Sequence, residues 1–86
     1  MAFTQKFKVS PESYEALAKD ISSKFGLSLE GNSGQIERNG FKGGYSYDAD
    51  KEELEIRLDK TPWMIADSMI KNTIMSTVQK YGGTSV

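Results

Sequence analysis

Acidic side chains crowd the run from Asp48 to Asp59, and a pair of carboxylates is the simplest apparatus for moving protons. Such a pair works only in a concave, partly dry site. Glu53, Glu55, Arg57 and Asp59 fall at alternate positions, the spacing that puts them on one face of a strand. With Lys42 opposite, they read as solvated cross-strand ion pairs worth about 0.2–1 kcal/mol each, not as an acid and a base. The turn Asp48-Ala49-Asp50-Lys51-Glu52 lacks the third acidic position, the glycine and the distal glutamate of a calcium loop, and Lys51 opposes the charge. Gly40, Gly43 and Gly44 around Lys42 do not have phosphate-loop spacing, and no helix follows them. Within a strand, Gly43-Gly44 marks a bulge, a bend or a close approach by another element. The chain has no cysteine and no histidine, so thiolate nucleophiles, disulfides and the commonest general base and metal ligand are all missing. No catalytic residue, metal ligand or cofactor is assigned, and the expectation is a protein that is not an enzyme.

The residues left are suited to recognition: Trp63, Met64, Ile65 and Met69, with Arg38. A lone tryptophan usually covers the end of a core. With Met64, Met69 and Arg38 it would instead line a cleft between a helix and a sheet, where the guanidinium holds the head group of a small amphipathic ligand. Arg38 otherwise runs its stem along the sheet margin and keeps its charge in water.

These side chains depend on elements that the sequence specifies closely. Asn39-Gly40 is a two-residue turn signal, setting Arg38 opposite Phe41, Glu37 opposite Lys42 and Ile36 opposite Gly43. A second reversal at 48–52 sets Tyr47 opposite Leu54, Tyr45 opposite Ile56, Gly43 opposite Leu58 and Lys42 opposite Asp59. One face then carries Ile36, Phe41, Tyr45, Tyr47, Leu54, Ile56 and Leu58, and the other carries the charges. Phe3, Phe7 and Val9 alternate with polar residues as a first strand. Ser10-Pro11-Glu12 starts a helix whose stripe is Tyr14, Leu17, Ala18, Ile21 and Phe25, and Gly26 closes it. Leu27, Leu29 and the turn Gly31-Asn32-Ser33-Gly34 predict a short strand and hairpin, with Leu29 opposite Ile36 and Glu30 opposite Gln35.

Thr61-Pro62 repeats the cap-plus-proline start and predicts a second helix from about Pro62 to Tyr81, ending at Gly82-Gly83. Trp63, Ala66, Ile70, Ile74, Val78 and Tyr81 form its stripe, with Ile65 and Met69 on one flank and Met64 and Met75 on the other. That surface is wider than one sheet face needs. Either the first helix covers a flank, or the rim meets a protein partner or a second copy. The expected fold is α+β in the order β-α-β-β-β-β-α, a mainly antiparallel sheet with two helices on one face and the other face in water. It forms one domain over residues 1–82, with 83–86 a flexible tail.

Composition narrows the partners. Lysines and arginines number 11 against 12 acids in 86 residues, so no global field marks nucleic acid or an anionic membrane. A sheet that binds single strands stacks bases on aromatics of its open face, whereas here Phe41, Tyr45 and Tyr47 point inward, so no nucleic acid is expected. Met1 to Val9 lacks the apolar stretch of a signal peptide, and nothing approaches a membrane span. A cytoplasmic protein is the simplest reading.

From Tyr14 to Ile74 the chain resembles the polyhydroxyalkanoic acid system proteins, small bacterial proteins associated with polyester-granule genes. The likeness lies in the order of features: an amphipathic helix ending Lys24-Phe25-Gly26-Leu27, then Glu30-Gly31-Asn32, Glu37-Arg38-Asn39-Gly40-Phe41-Lys42-Gly43, Tyr47-Asp48-Ala49-Asp50, Leu54-Glu55-Ile56-Arg57-Leu58 and a closing helix. The resemblance implies a compact α+β protein linked to polyester storage, with no catalytic residues to carry over. Lys60-Thr61-Pro62-Trp63 departs from the family at the strand-to-helix junction. The expected function is a non-catalytic binding or assembly module acting through the rim around Trp63, Ile65 and Met69; the alternative is a carrier of a small amphipathic ligand in a helix-sheet cleft.

Overall fold

Reversing a chain within two residues needs two positive φ angles in succession, and Asn39 (55°) and Gly40 (88°) supply them. In the computed structural model, which describes residues 3–26, 29 and 31–86, this turn joins β2 (Ser33–Arg38) to β3 (Phe41–Asp48) in the expected register. At the next reversal the Asp48 carboxylate accepts from the amides of Asp50 and Lys51, and Glu52 takes a φ of 53°. Tyr47 then faces Leu54, Tyr45 faces Ile56 and Gly43 faces Leu58 on β4 (Glu53–Lys60), as the hydrophobic pattern requires. The register shifts between Lys42 and Gly43, so Lys42 lies opposite Lys60 and not Asp59. The cause is contact: a side chain at Gly43 would overlap the Arg57 carbonyl oxygen, so β4 comes too close here for regular pairing.

β1 (Phe3–Lys8) pairs with the far side of β4, and β5 (Thr84–Ser85) lies beyond it. The sheet order is β2-β3-β4-β1-β5, antiparallel throughout. The first helix, α1 (Pro11–Phe25), begins where the Ser10 hydroxyl accepts from the Ser13 amide, and ends at Gly26 with φ of 65°. The second, α2 (Asp67–Lys80), ends with the amides of Gly82 and Gly83 bonded to the carbonyls of Gln79 and Val78. Tyr14, Leu17 and Ile21 of α1 and Ile70, Ile74 and Val78 of α2 share one core with Phe7, Phe41, Tyr45 and Leu54, so both helices cover the same face. Lys6, Lys8, Glu37, Lys42, Arg57 and Asp59 stand exposed on the other.

The α+β class holds, and several details of the reading change. Ser33 and Gly34 do not turn; they continue β2 opposite Ser46 and Tyr45, because β3 is eight residues long and its backbone groups there need partners. Leu29 is in no strand, its amide bonding the Ser22 hydroxyl, while the expected positions of Leu27 and Glu30 lie outside the described residues. The helix starts at Asp67 rather than Pro62. Thr61 Oγ1 donates to Asp67 Oδ1 at 2.8 Å, a closure that a continuous helix rising about 9 Å over those residues would not allow. The last residues, expected as a frayed tail, form β5: Ser85 faces Phe7, and the Val86 amide donates to the Lys6 carbonyl.

Candidate interaction surface

Between β4 and α2 the chain makes a short loop whose anchors are polar and whose tip is apolar. Pro62 packs on Gly40 at the β2–β3 turn, close enough that a side chain at Gly40 would press on the proline ring at 3.2 Å. The Ile65 amide bonds back to the Pro62 carbonyl, and Thr61 holds Asp67. With both ends fixed, the residues between have no core to reach. Trp63 is 92% exposed, Met64 75%, Met69 62% and Ile65 36%. Four large apolar side chains so exposed within seven residues make this loop the candidate contact surface. Arg38 is exposed at the end of β2, two residues before the glycine that carries Pro62. The sequence put these side chains on a helix; the structure puts Trp63, Met64 and Ile65 on the loop and Met69 in the first turn of α2.

The proposed cleft between helix and sheet does not form around these residues, since Trp63, Met64, Met69 and Arg38 all face water. Deeper in, the space among Ile21, Phe41, Ile56, Leu58, Ile70 and Ile74 is about 10 Å³, barely one water. A larger concavity, about 740 Å³, runs along the outer flank of α1 past Tyr14, Ala18, Lys19, Leu29 and Tyr47. Its floor is the stacked pair Tyr14 and Tyr47, ring centroids 4.2 Å apart. The Tyr14 hydroxyl donates to the Gly31 carbonyl at 2.7 Å, and burial pushes its pKa up to about 12. Burial likewise raises Tyr47, which donates to the Val9 carbonyl. Sequence reasoning missed this groove because three separate segments build it, α1, 29–32 and 47–49, and only folding brings them together.

One ionic cluster also escaped notice. Asp20 on α1 accepts from the Tyr81 hydroxyl at 3.0 Å and from Lys80 at 3.3 Å, with Lys24 at 3.7 Å. Tyr81's hydrogen bond, ahead of the two lysines, holds the Asp20 carboxyl below its ordinary value. Lys24 also donates to Thr77, so the cluster ties α1 to α2. The i,i+4 spacing of Asp20 and Lys24 was the available signal. Among the described residues no group of His, Cys, Asp or Glu is arranged to hold a metal ion, and no helix is long and apolar enough to cross a membrane. No protein-family model matches this chain, and no curated protein or solved structure matches it.

Proposed function

We propose that this protein is a non-catalytic binding module of the cytoplasm, docking an apolar surface of a partner through Trp63, Met64, Ile65 and Met69. The observation that supports it is the 92% exposure of Trp63 on a loop pinned at both ends by Pro62 and Thr61. A pinned loop loses little conformational entropy on binding, and an indole so placed has the geometry of an interface anchor. The non-catalytic part rests on the carboxylates. Glu53 and Glu55 lie on the helix-free face, and Asp20 is shifted downward inside a structural cluster, opposite to what a general acid needs.

The resemblance to the polyhydroxyalkanoic acid system proteins points to polyester storage as the setting. Trp63 is the sole tryptophan, so its emission reports docking directly. The experiment follows that emission while the protein is concentrated and, separately, mixed with polyhydroxyalkanoate particles. A blue shift in either titration, abolished by Met69→Asp, is expected. A water-like spectrum throughout, with a light-scattering mass indifferent to Met69→Asp, overturns the reading.

The alternative, a carrier of a small amphipathic ligand, draws on the groove along α1 rather than on Trp63. Its aromatic floor suits the apolar part of such a ligand, and its rim, with both Lys19 and Glu15, suits a polar head. A fatty-acid-like probe would then perturb tyrosine emission and leave Trp63 unchanged.

A further inference from the structure

β2 is one edge of the sheet, and among the described residues nothing pairs with its outer side. Its hydrogen-bonding parity is set at both ends. The turn makes Arg38 and Phe41 a bonded pair, and at the far end the Tyr47 amide donates to the Asn32 carbonyl. Asn32, Gly34, Ile36 and Arg38 therefore direct their backbone groups to β3, and Ser33, Gln35 and Glu37 direct theirs outward. All three are exposed. Edges are normally blunted by proline, charged side chains, a bulge, a covering element or extreme shortness. At the opposite edge β5 has two residues. β2 has six, carries charge only at one end, on Glu37 and Arg38, has no proline, and pairs with β3 without a register shift.

We propose that the β2 edge is a homodimer seam, in which a second copy of this chain lays its own β2 antiparallel across a two-fold axis at Gln35. The two sheets then become one. Only outward-facing residues can bond across the seam, so few registers exist. An axis at Glu37 opposes two like charges, and an axis at Ile36 brings them onto a close diagonal. An axis at Gly34 leaves Glu37 without a bonded partner in β2. With the axis at Gln35 all three outward residues of each copy are used, giving on the order of six hydrogen bonds. Gln35 meets Gln35 of the partner subunit, amide to amide, and Glu37 meets Ser33 of the partner subunit, carboxylate to hydroxyl. On the helix side Ile36 comes beside Gly34 of the partner subunit, and in each copy the Tyr45 ring lies over Gly34 and offers Ile36 an aromatic surface. This strand satisfies its own charge pattern, which a two-fold contact requires. The seam is separate from the Trp63 loop, and neither proposal depends on the other.

Sedimentation of the full chain over a concentration series tests this, with amide hydrogen exchange as a second readout. The expected result is a monomer–dimer equilibrium in which the amides of Ser33, Gln35 and Glu37 gain at least about tenfold protection as dimer forms, the bonds across the seam being their protection. Gly34, Ile36 and Arg38 are protected throughout. Gln35→Pro removes an outward amide without touching a bond to β3 and yields a folded monomer. Gln35→Lys, which leaves the backbone intact and sets like charges on the axis, does the same. A strict monomer up to about 1 mM overturns the proposal. So does a dimer that survives both variants, or one dissolved by Met69→Asp and indifferent to Gln35→Lys.

Discussion

Asp20 and Tyr14 make stability depend on pH at opposite ends of the scale, with Tyr47 raised alongside Tyr14. Asp20 titrates below its ordinary value because Tyr81 and the lysines favour its charged form. Its contribution is therefore fully present above the unfolded carboxylate pKa and fades as pH falls below about 4. Tyr14 is raised to about 12, so the folded state holds its proton longer than the unfolded chain does. That contribution is complete below the unfolded tyrosine pKa and is lost as pH rises from about 10 towards the folded value. Thermal melts across pH check both ends. Asp20→Asn lowers the melting temperature at neutral pH and flattens the acid limb. Tyr14→Phe, which leaves the Gly31 carbonyl without its donor, costs about 1 kcal/mol at neutral pH and flattens the alkaline limb. At this scale the sequence was only partly legible. Tyr14 was visible as a core position from helical spacing, but its bond to Gly31 spans two elements, and Asp20 looked like an ordinary exposed acid until α2 brought Tyr81 and Lys80 to it.

Among the elements, the hairpins joining β2, β3 and β4 were the most legible, because their turn residues and a period-two pattern constrain the same register from independent directions, whereas the hairpin expected at 31–34 does not form. Arg38 to Phe41 and Tyr47 to Leu54 pair as the residues require. Reading failed where an element's limits depend on tertiary contacts. Thr61-Pro62 has the chemistry of a helix start, yet Pro62 is held by Gly40 and the helix waits until Asp67, with no side-chain cap at Ala66. The exposed loop that carries Trp63 owes its existence to that delay. Gly43 and Gly44 likewise looked alike in sequence and differ in the sheet. A methyl group at Gly43 would overlap the Arg57 backbone, whereas at Gly44 it would meet the Gly34 carbonyl at 3.3 Å and the movable Arg57 guanidinium at 3.4 Å. Gly43→Ala is expected to cost about 3 kcal/mol or more, since backbone must shift, and Gly44→Ala less than about 1 kcal/mol. Denaturant midpoints of the two variants measure the difference; equal losses would mean that the close approach of β4 to Gly43 does not govern the cost.

For the molecule as a whole, the decisive quantity is how little stability a chain of 86 residues has in reserve, on the order of 4–13 kcal/mol. The last four residues matter against that reserve. Gly83 is buried where a side chain would run into Val9 and Val78, and its amide closes the end of α2 on the Val78 carbonyl. Thr84 and Ser85 then cover part of β1, and Val86 bonds Lys6. Removing residues 83–86 forfeits a few backbone hydrogen bonds at roughly 1 kcal/mol net each, so a loss of about 2–3 kcal/mol is expected. The chain should remain folded, with a lower urea midpoint and an unchanged slope, because the core of α1, α2 and the sheet is untouched. An unchanged midpoint would mean that these residues fray in water, as their composition suggests, and that the sheet effectively has four strands. A collapse of the fold would mean the reverse, that β1 depends on this short edge for its place beside β4. The intermediate loss is expected because β1 already has its full pairing to β4, from Phe3 against Leu58 to Lys8 against Glu53, and needs β5 only to finish one end.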